Sequence, residues 1–218
     1  MRVIGITGSI ACGKTTVCQE LRRKGFPVID GDALSREVTA PGSEALKEIG
    51  QRFGSMYLNA DGSLNRRELG TLVFSDAAAR DQLDRLMEPY LRKLTLHCLE
   101  QARNVGAKLC FLDFPLLYEK KYDQYCDAVW CVWLPEALQI SRLMKRDGFS
   151  ASEARARMQA VLSSDEKANL ASFVIDNSGT VDHTLRQVSD QLEIELRRAE
   201  SAPRRRRSAR RPVCPYYT

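Results

Sequence analysis

The 218-residue chain has no run of about 18 uninterrupted apolar residues, so no membrane-spanning helix is expected. No apolar leader with a cleavage site precedes the first β-branched run at residues 2–7, and a cytoplasmic location is the expectation. Histidine is scarce, with only His97 and His183, and the seven cysteines at 12, 18, 98, 110, 126, 131 and 214 include no C-x-x-C pair. That scarcity argues against a zinc centre, and an odd, scattered set of thiols argues against a disulfide framework. The cysteines read instead as small core residues in a reducing compartment.

An even spread of positive charge is also missing. Residues 201–218 hold six arginines (204–207, 210 and 211) and no acid, and removing these from the net charge of +5 leaves −1 on residues 1–200. A nearly neutral body carries no electrostatic footprint for nucleic acid, so no specific nucleic-acid partner is expected. The tail itself, with its Pro and Arg and no periodicity, reads as disordered. It has either no dedicated partner or a weak, salt-sensitive contact with RNA or acidic partners. A hydrophobic share of 44% over this length supplies one good core, which fits a single domain at 1–200 with insertions.

What the chain does contain is Gly8-Ser-Ile-Ala-Cys-Gly13-Lys14-Thr15, which fits the phosphate-binding pattern G-x-x-x-x-G-K-[ST]. It follows a predicted strand over residues 2–7 and precedes a predicted helix over 15–24 that Gly25 closes. Glycines let successive backbone N–H groups turn toward one anion, the helix dipole adds to them, and Lys14 reaches the outer phosphates. Gly8, Ser9, Ile10, Ala11, Cys12, Gly13, Lys14, Thr15 and Thr16 are therefore the candidate ATP-binding residues, and the Thr15 hydroxyl is a candidate Mg²⁺ contact. The same N–H groups are expected to lower the Cys12 thiol pKa, and one reading makes activity sensitive to oxidants through it. The alternative is that Cys12 is simply a small residue that fits.

Further along, the apolar run 26–30 ends in Asp30-Gly-Asp32 and reads as a second strand. Residues 33–103 are mostly helical, with segments at 33–38, 43–53 and 65–74, a turn at 59–62, and a long stretch at 76–103 interrupted near Pro89. Residues 108–113 and 128–133 are continuous apolar runs that read as buried parallel strands. Pro135 starts a helix over 136–145, a charged helix follows at 150–162 with Ser150 or Ser152 at its cap, 173–176 is a last strand, and an amphipathic helix at 180–198 closes the domain. The alternation predicts an α/β fold: a right-handed, doubly wound parallel sheet of about five strands with its ligand at the carboxyl ends. A helical insertion at about 33–105 and a small helical lid at about 142–167 interrupt it.

Such a sheet gathers the phosphate loop, Asp30, Asp32 and Asp113 in one cleft, the set a phosphoryl transferase needs. Asp32 reads either as the acid that orients or deprotonates an acceptor hydroxyl or as the N-cap of the 33–38 segment. Asp113 is either an Mg²⁺-water or acceptor contact or a strand-end acid with no duty, and Pro115 and Leu116 offer an apolar ledge beside it. Arg142, Arg146, Arg155 and Arg157 are candidates to neutralise transition-state charge, with Arg142 foremost; Arg142 and Arg146 share a helix face. Asn177 on its own reads as turn chemistry. Two other readings stay open: a different nucleotide kinase, and a nucleotide-dependent regulator or RNA-binding module.

In this order the motifs resemble the dephospho-coenzyme A kinase family across roughly residues 2–198. Gly5-Ile-Thr-Gly8 through Gly13-Lys-Thr-Thr-Val17 resembles its phosphate loop, and Asp30-Gly-Asp32-Ala-Leu-Ser-Arg36 its D-A-D-x-x-A-R segment. Gly62-Ser-Leu-Asn-Arg66 with Leu69 and Val73-Phe74 is similar to its substrate-binding insertion, Asp113-Phe-Pro-Leu-Leu-Tyr-Glu119 to its D-x-P-L-L-[FY]-E signature, and Val174-Ile-Asp-Asn177-Ser-Gly179 to its loop near the adenine. The chain departs from that pattern at Glu88 (usually His), at Val161 (often Gln), and at Ser9, Ala11 and Cys12 within the loop. The resemblance implies a P-loop kinase fold that uses ATP and Mg²⁺ to phosphorylate the ribose 3′-hydroxyl of dephospho-CoA, the last step of coenzyme A biosynthesis. Together with the residue readings above, it gives Asp32 as the base, Lys14 and Arg142 beside it in catalysis, Arg36, Arg66, Asp113, Pro115 and Leu116 at the acceptor beside Asp32, Thr15 and Asp113 at the metal, and Asn177, on the resemblance alone, at the nucleotide. A monomer or weak homo-oligomer acting on a small molecule is the expectation.

Overall fold

A computed structural model describes residues 1–201; the arginine-rich tail expected to be disordered lies, beyond Ser201, outside the described residues. The chain runs β1 (Arg2–Thr7), α1 (Lys14–Arg23), β2 (Val28–Asp30), α2 (Gly31–Val38), α3 (Glu44–Phe53), α4 (Arg66–Ser75), α5 (Ala77–Asn104), β3 (Leu109–Asp113), β4 (Ala128–Trp133), α6 (Glu136–Asp147), α7 (Ala151–Gln159), α8 (Ser164–Leu170), β5 (Phe173–Asp176) and α9 (Val181–Ser201). It divides into two units, one of residues 1–30 with the chain from Gln101 onward, the other Gly31–Glu100.

The first unit is built on the five-stranded sheet, ordered β2-β3-β1-β4-β5 and parallel throughout. Strand β1 is central because its Val, Ile and Thr suit a pleated surface buried on both sides. Alternate residues serve opposite faces. Ile4 and Ile6 join Phe111, Trp130 and Val132 in a core closed by Val17, Cys18 and Leu21 of α1 and by Val188 and Leu192 of α9. On the other face Gly5 lies so near Leu117 that a Cβ would stand 2.8 Å from its Cδ2, and Cys131 rests 4.0 Å from the Ser164 carbonyl of α8. Helices thus cover both faces, as a doubly wound sheet requires. One buried charge, Glu195 on α9, is compensated by Arg2 and Arg198, each at 2.8 Å.

The second unit is helical. Ser43 and Asn65 cap α3 and α4 by accepting the N–H groups of Leu46 and Glu68, each at 3.3 Å. Its apolar core is Val38, Ala45, Ile49, Leu69, Leu86 and Met87.

One expectation is corrected. The break near Pro89 does not occur: α5 is continuous over its 28 residues. Leu86 and Met87 before the proline and Tyr90, Leu91 and Leu94 after it are held in one core, and this packing outweighs the lost N–H. The helix expected over 150–162 is α7, which Ser150 caps and which ends at Gln159; α8, started by a second capping box of Ser163 with Glu166, lies beyond it and was not anticipated.

Trp130 is fully buried at the centre of the sheet, edge-on to Phe111 at 5.5 Å and Phe173 at 5.9 Å. Trp130→Ala is expected to cost about 3–5 kcal/mol in urea unfolding. Trp130→Phe should cost clearly less, since the indole Nε1 has no hydrogen-bond partner to lose. Equal losses in the two variants would contradict this packing.

Candidate active site

The loop between β1 and α1 is shaped by two left-handed residues, Ala11 at φ 60° and Gly13 at φ 94°, which alternate the peptide planes so that N–H groups converge. Gly8 is needed for close approach, because a Cβ there would lie 2.4 Å from Cys12 Sγ and 2.7 Å from the Val132 carbonyl. At Gly13 a Cβ would meet Asn177 Nδ2 at 2.0 Å. That amide is the brace of the loop. Asn177, just past β5 and 6% exposed, donates from Nδ2 to the Cys12 carbonyl at 2.7 Å and accepts the Thr184 hydroxyl on Oδ1 at 2.8 Å. Its backbone is held as well, the N–H by the Trp133 carbonyl at 3.0 Å and the carbonyl by the Arg142 guanidinium at 3.1 Å.

A cavity of about 650 Å³ opens over this loop, lined by residues 8–15, by Pro115, Leu116 and Val161, and by the cations Arg142, Lys145, Arg146 and Lys167. With Lys14, five cationic residues line it and no acidic residue does. Ser9 Oγ is buried without a hydrogen-bond partner at the same place, as expected of a hydroxyl set to donate to an anion. Beside the cavity the Lys14 ammonium pairs with Asp113 at the end of β3. Asp113 lies in register with Asp30 of β2, and Arg22 reaches both, at 3.9 and 3.4 Å.

The residues singled out from sequence fall into three places. Residues 8–15, Pro115, Leu116, Arg142 and Arg146 line the cavity. Thr16, Asp113 and Asn177 are next to that wall but not part of it, and Arg155 and Arg157 are exposed on α7 outside the lining, the latter 4.2 Å over the Phe149 ring. Asp32 and Arg36 in α2 and Arg66 at the start of α4 belong to the second unit. There Arg66 donates to Thr39 Oγ1 at 2.6 Å, and burial and then the neighbouring Arg36 charge push its pKa down. Two guanidinium groups near enough to oppose each other's charge make a place where an anion is stabilised.

Cys12 requires a correction. Its side chain is 2% exposed in the core, and this burial pushes the thiol pKa up, outweighing the Lys14 N–H and ammonium that pull it down. It is not the activated thiol expected from its place in the loop. Two of the cavity's cations were not anticipated. Lys145 has no ion-pair or hydrogen-bond partner among the described residues and shares the helix face of Arg142 by i,i+3 spacing, which the sequence does display. Lys167 follows from α8, whose capping box is also visible in the sequence.

A phosphate loop after the central strand of a parallel sheet, its N–H groups and Lys14 turned to a cationic cavity, defines a P-loop kinase. The chain belongs to the dephospho-CoA kinase family, which catalyses the last step of coenzyme A biosynthesis: the family model described as dephospho-CoA kinase matches residues 2–183. It is 44% identical over 197 residues to the dephospho-CoA kinase of Anaeromyxobacter dehalogenans, spanning 90% of this chain and 93% of that one. It is 42% identical over 199 residues to that of Oryza sativa, spanning 88% and 86%. A crystal structure from Thermus thermophilus superposes with a TM-score of 0.74 at 34% identity, over 88% of this chain and 97% of the other. The dephospho-CoA kinase of Campylobacter jejuni superposes with a TM-score of 0.67 at 27% identity, over 88% and 96%. Between the two kinase readings left open by the motifs, the family decides for dephospho-CoA as acceptor, and its kinase activity implies ATP as the other substrate.

Removing the brace in Asn177→Ala strands the buried Cys12 carbonyl, a loss of about 1–3 kcal/mol, and is expected to weaken MgATP binding about tenfold or more in calorimetric titration. An unchanged Kd would remove Asn177 from the site's support. For Cys12, iodoacetamide near neutral pH should leave the native thiol unmodified with or without nucleotide and label it only on unfolding, as read by peptide mass spectrometry. Fast labelling of the native, nucleotide-free protein would contradict the burial.

Proposed function

We propose that the chain moves the γ-phosphoryl group of ATP to the ribose 3′-hydroxyl of dephospho-CoA, releasing ADP and CoA. The observation that carries this reading is the cavity wall, which is made of the phosphate loop and five cationic residues and includes no acidic residue. Residues 8–16 hold the phosphates, Lys14 reaches the outer ones, and Arg142 answers the charge that spreads over the equatorial oxygens during transfer. Arg142 is suited to that work because its bond to the Asn177 carbonyl fixes it against the same brace that fixes the loop. Arg146 and Lys145 add charge from the same helix.

Asp32, two residues past the end of β2, is the base: the acceptor oxygen bonds to the γ-phosphorus, the bond from that phosphorus to the leaving ADP oxygen breaks, and the hydroxyl proton passes to the Asp32 carboxylate. Arg36 and Arg66 hold the anionic part of dephospho-CoA, while Pro115 and Leu116 form an apolar ledge. The residues also fit Mg²⁺. This ion takes one or two side-chain oxygens plus phosphates and keeps several waters, so Thr15 on the cavity wall with Asp113 behind it is a sufficient set, and no cluster of three ligands is found among the described residues. When bound, Mg²⁺ neutralises phosphate charge.

Residues 142–167 act as the lid that excludes water, and residues 31–100 contain the acceptor-binding insertion within the kinase domain at 1–200. No helix among the described residues is long and apolar enough to cross a membrane. We place the enzyme in the cytoplasm, as a monomer or weak homo-oligomer acting on small molecules.

The test is ADP formation from MgATP with dephospho-CoA, AMP, CMP or no acceptor, in the native chain and in Asp32→Asn. Turnover is expected with dephospho-CoA alone, falling about 10²–10⁴-fold in the variant while MgATP binding persists. Turnover with a monophosphate, or an Asp32→Asn enzyme as fast as the native one, would overturn the acceptor or the base respectively.

A further inference from the structure

Lys167 is 1% exposed, yet it lines the cavity. Its ammonium donates to the Pro115 carbonyl at 2.6 Å and pairs with Glu119 Oε1 at 2.9 Å. The same Glu119 oxygen accepts the Leu162 N–H at 3.2 Å, whereas Oε2 is buried without a hydrogen-bond partner. The Pro115 carbonyl also receives the hydroxyl of Thr7, the last residue of β1, at 3.3 Å. One buried ammonium thus ties together the end of β1, the segment after β3 and the connection between α7 and α8.

Those tied segments carry the cavity wall. Pro115 and Leu116 line it on one side of the clasp, and Val161, next to Leu162, lines it on the other. Stability does not account for a lysine at this place. Taking an ammonium and a carboxylate out of water costs several kcal/mol per ion, the carboxylate here is only half satisfied, and well-packed apolar residues often replace such pairs at no loss. What apolar packing does not supply is a fixed direction, and hydrogen bonds to one carbonyl and one carboxylate do.

We propose that Lys167, held by Glu119, is a positioning residue for phosphoryl transfer: it sets the Pro115–Leu116 wall and the Val161–Leu162 connection against the phosphate loop so that the γ-phosphoryl group meets the acceptor hydroxyl and not water. The inference rests on the phosphoryl-transfer reading above. A misplacement of about 1 Å in such a wall costs up to about a hundredfold in the productive step, while hydrolysis, whose nucleophile is small and abundant, is far less demanding of geometry.

The readout is therefore the ratio of CoA formed to ADP formed, which does not change when only part of an enzyme preparation is folded. Removing Lys167 alone strands a carboxylate that is only partly exposed, so the primary variant is the double substitution Lys167→Met with Glu119→Gln, with its melting temperature measured alongside. Native enzyme should give one CoA per ADP. The folded double variant should form CoA about ten- to a hundredfold more slowly, with a higher KM for dephospho-CoA, and release ADP without CoA. If the double variant does not fold, Lys167→Arg, which keeps the charge but not the single-point donor geometry, is judged by the same ratio. A variant that is less stable or less abundant but still gives one CoA per ADP at native KM would overturn the inference and leave Lys167 a purely structural residue. Native enzyme that forms no CoA would overturn the reading of function itself.

Discussion

Backbone N–H groups that converge on one point repel each other until an anion arrives, so a phosphate loop has to be held in shape by something outside itself. Here that something is the side-chain amide of Asn177, which reaches the Cys12 carbonyl from 165 residues away in sequence. The chain is arranged around this contact. Gly13 has no side chain because the amide occupies that space, Thr184 orients the amide from α9, and Arg142 is moored to the backbone of the same residue. The loop and one of its cations are consequently referenced to a single rigid point, the preorganisation that lets fixed dipoles stabilise developing charge without reorganising.

The segment Asp113–Glu119 (113–119 in the chain) has a related character. Its polar groups turn inward more than toward the cavity: Asp113 to Lys14, the Pro115 carbonyl to Thr7 and Lys167, Glu119 to Lys167 and Leu162. Only Pro115 and Leu116 present themselves to the cavity. A stretch that reads in sequence as a row of ligand contacts is also a joint, tied to Thr7, Lys167 and Leu162.

Much of this was legible. Strand β1, the loop and α1 follow from local pattern, since glycines, a lysine and β-branched residues each act over a few positions. What escaped the sequence depends on distant contacts. Pro89 reads as a break until the core on both sides of it is known, and Cys12 reads as an activated thiol because its N–H neighbours are local while the core that buries it is not. Lys145 and Lys167 look like ordinary solvated lysines; nothing local distinguishes a lysine that will be 1% exposed. The role of Asn177 as a brace requires knowing that β5 ends beside the phosphate loop, whereas its sequence neighbourhood says only that a turn is present.

Strand β1 is made first and sits between β3 and β4, so neither of its edges has a partner until the chain has grown past Leu109. At about 5–20 residues per second, a nascent Val-Ile edge waits on the order of 5–20 s on the ribosome, during which the helical block 31–100 is completed from its own local contacts. The brace of the phosphate loop comes later still, because Asn177 follows β5 in the chain. A translation product that stops short of Asn177 carries the whole phosphate-loop motif and lacks the amide that shapes it.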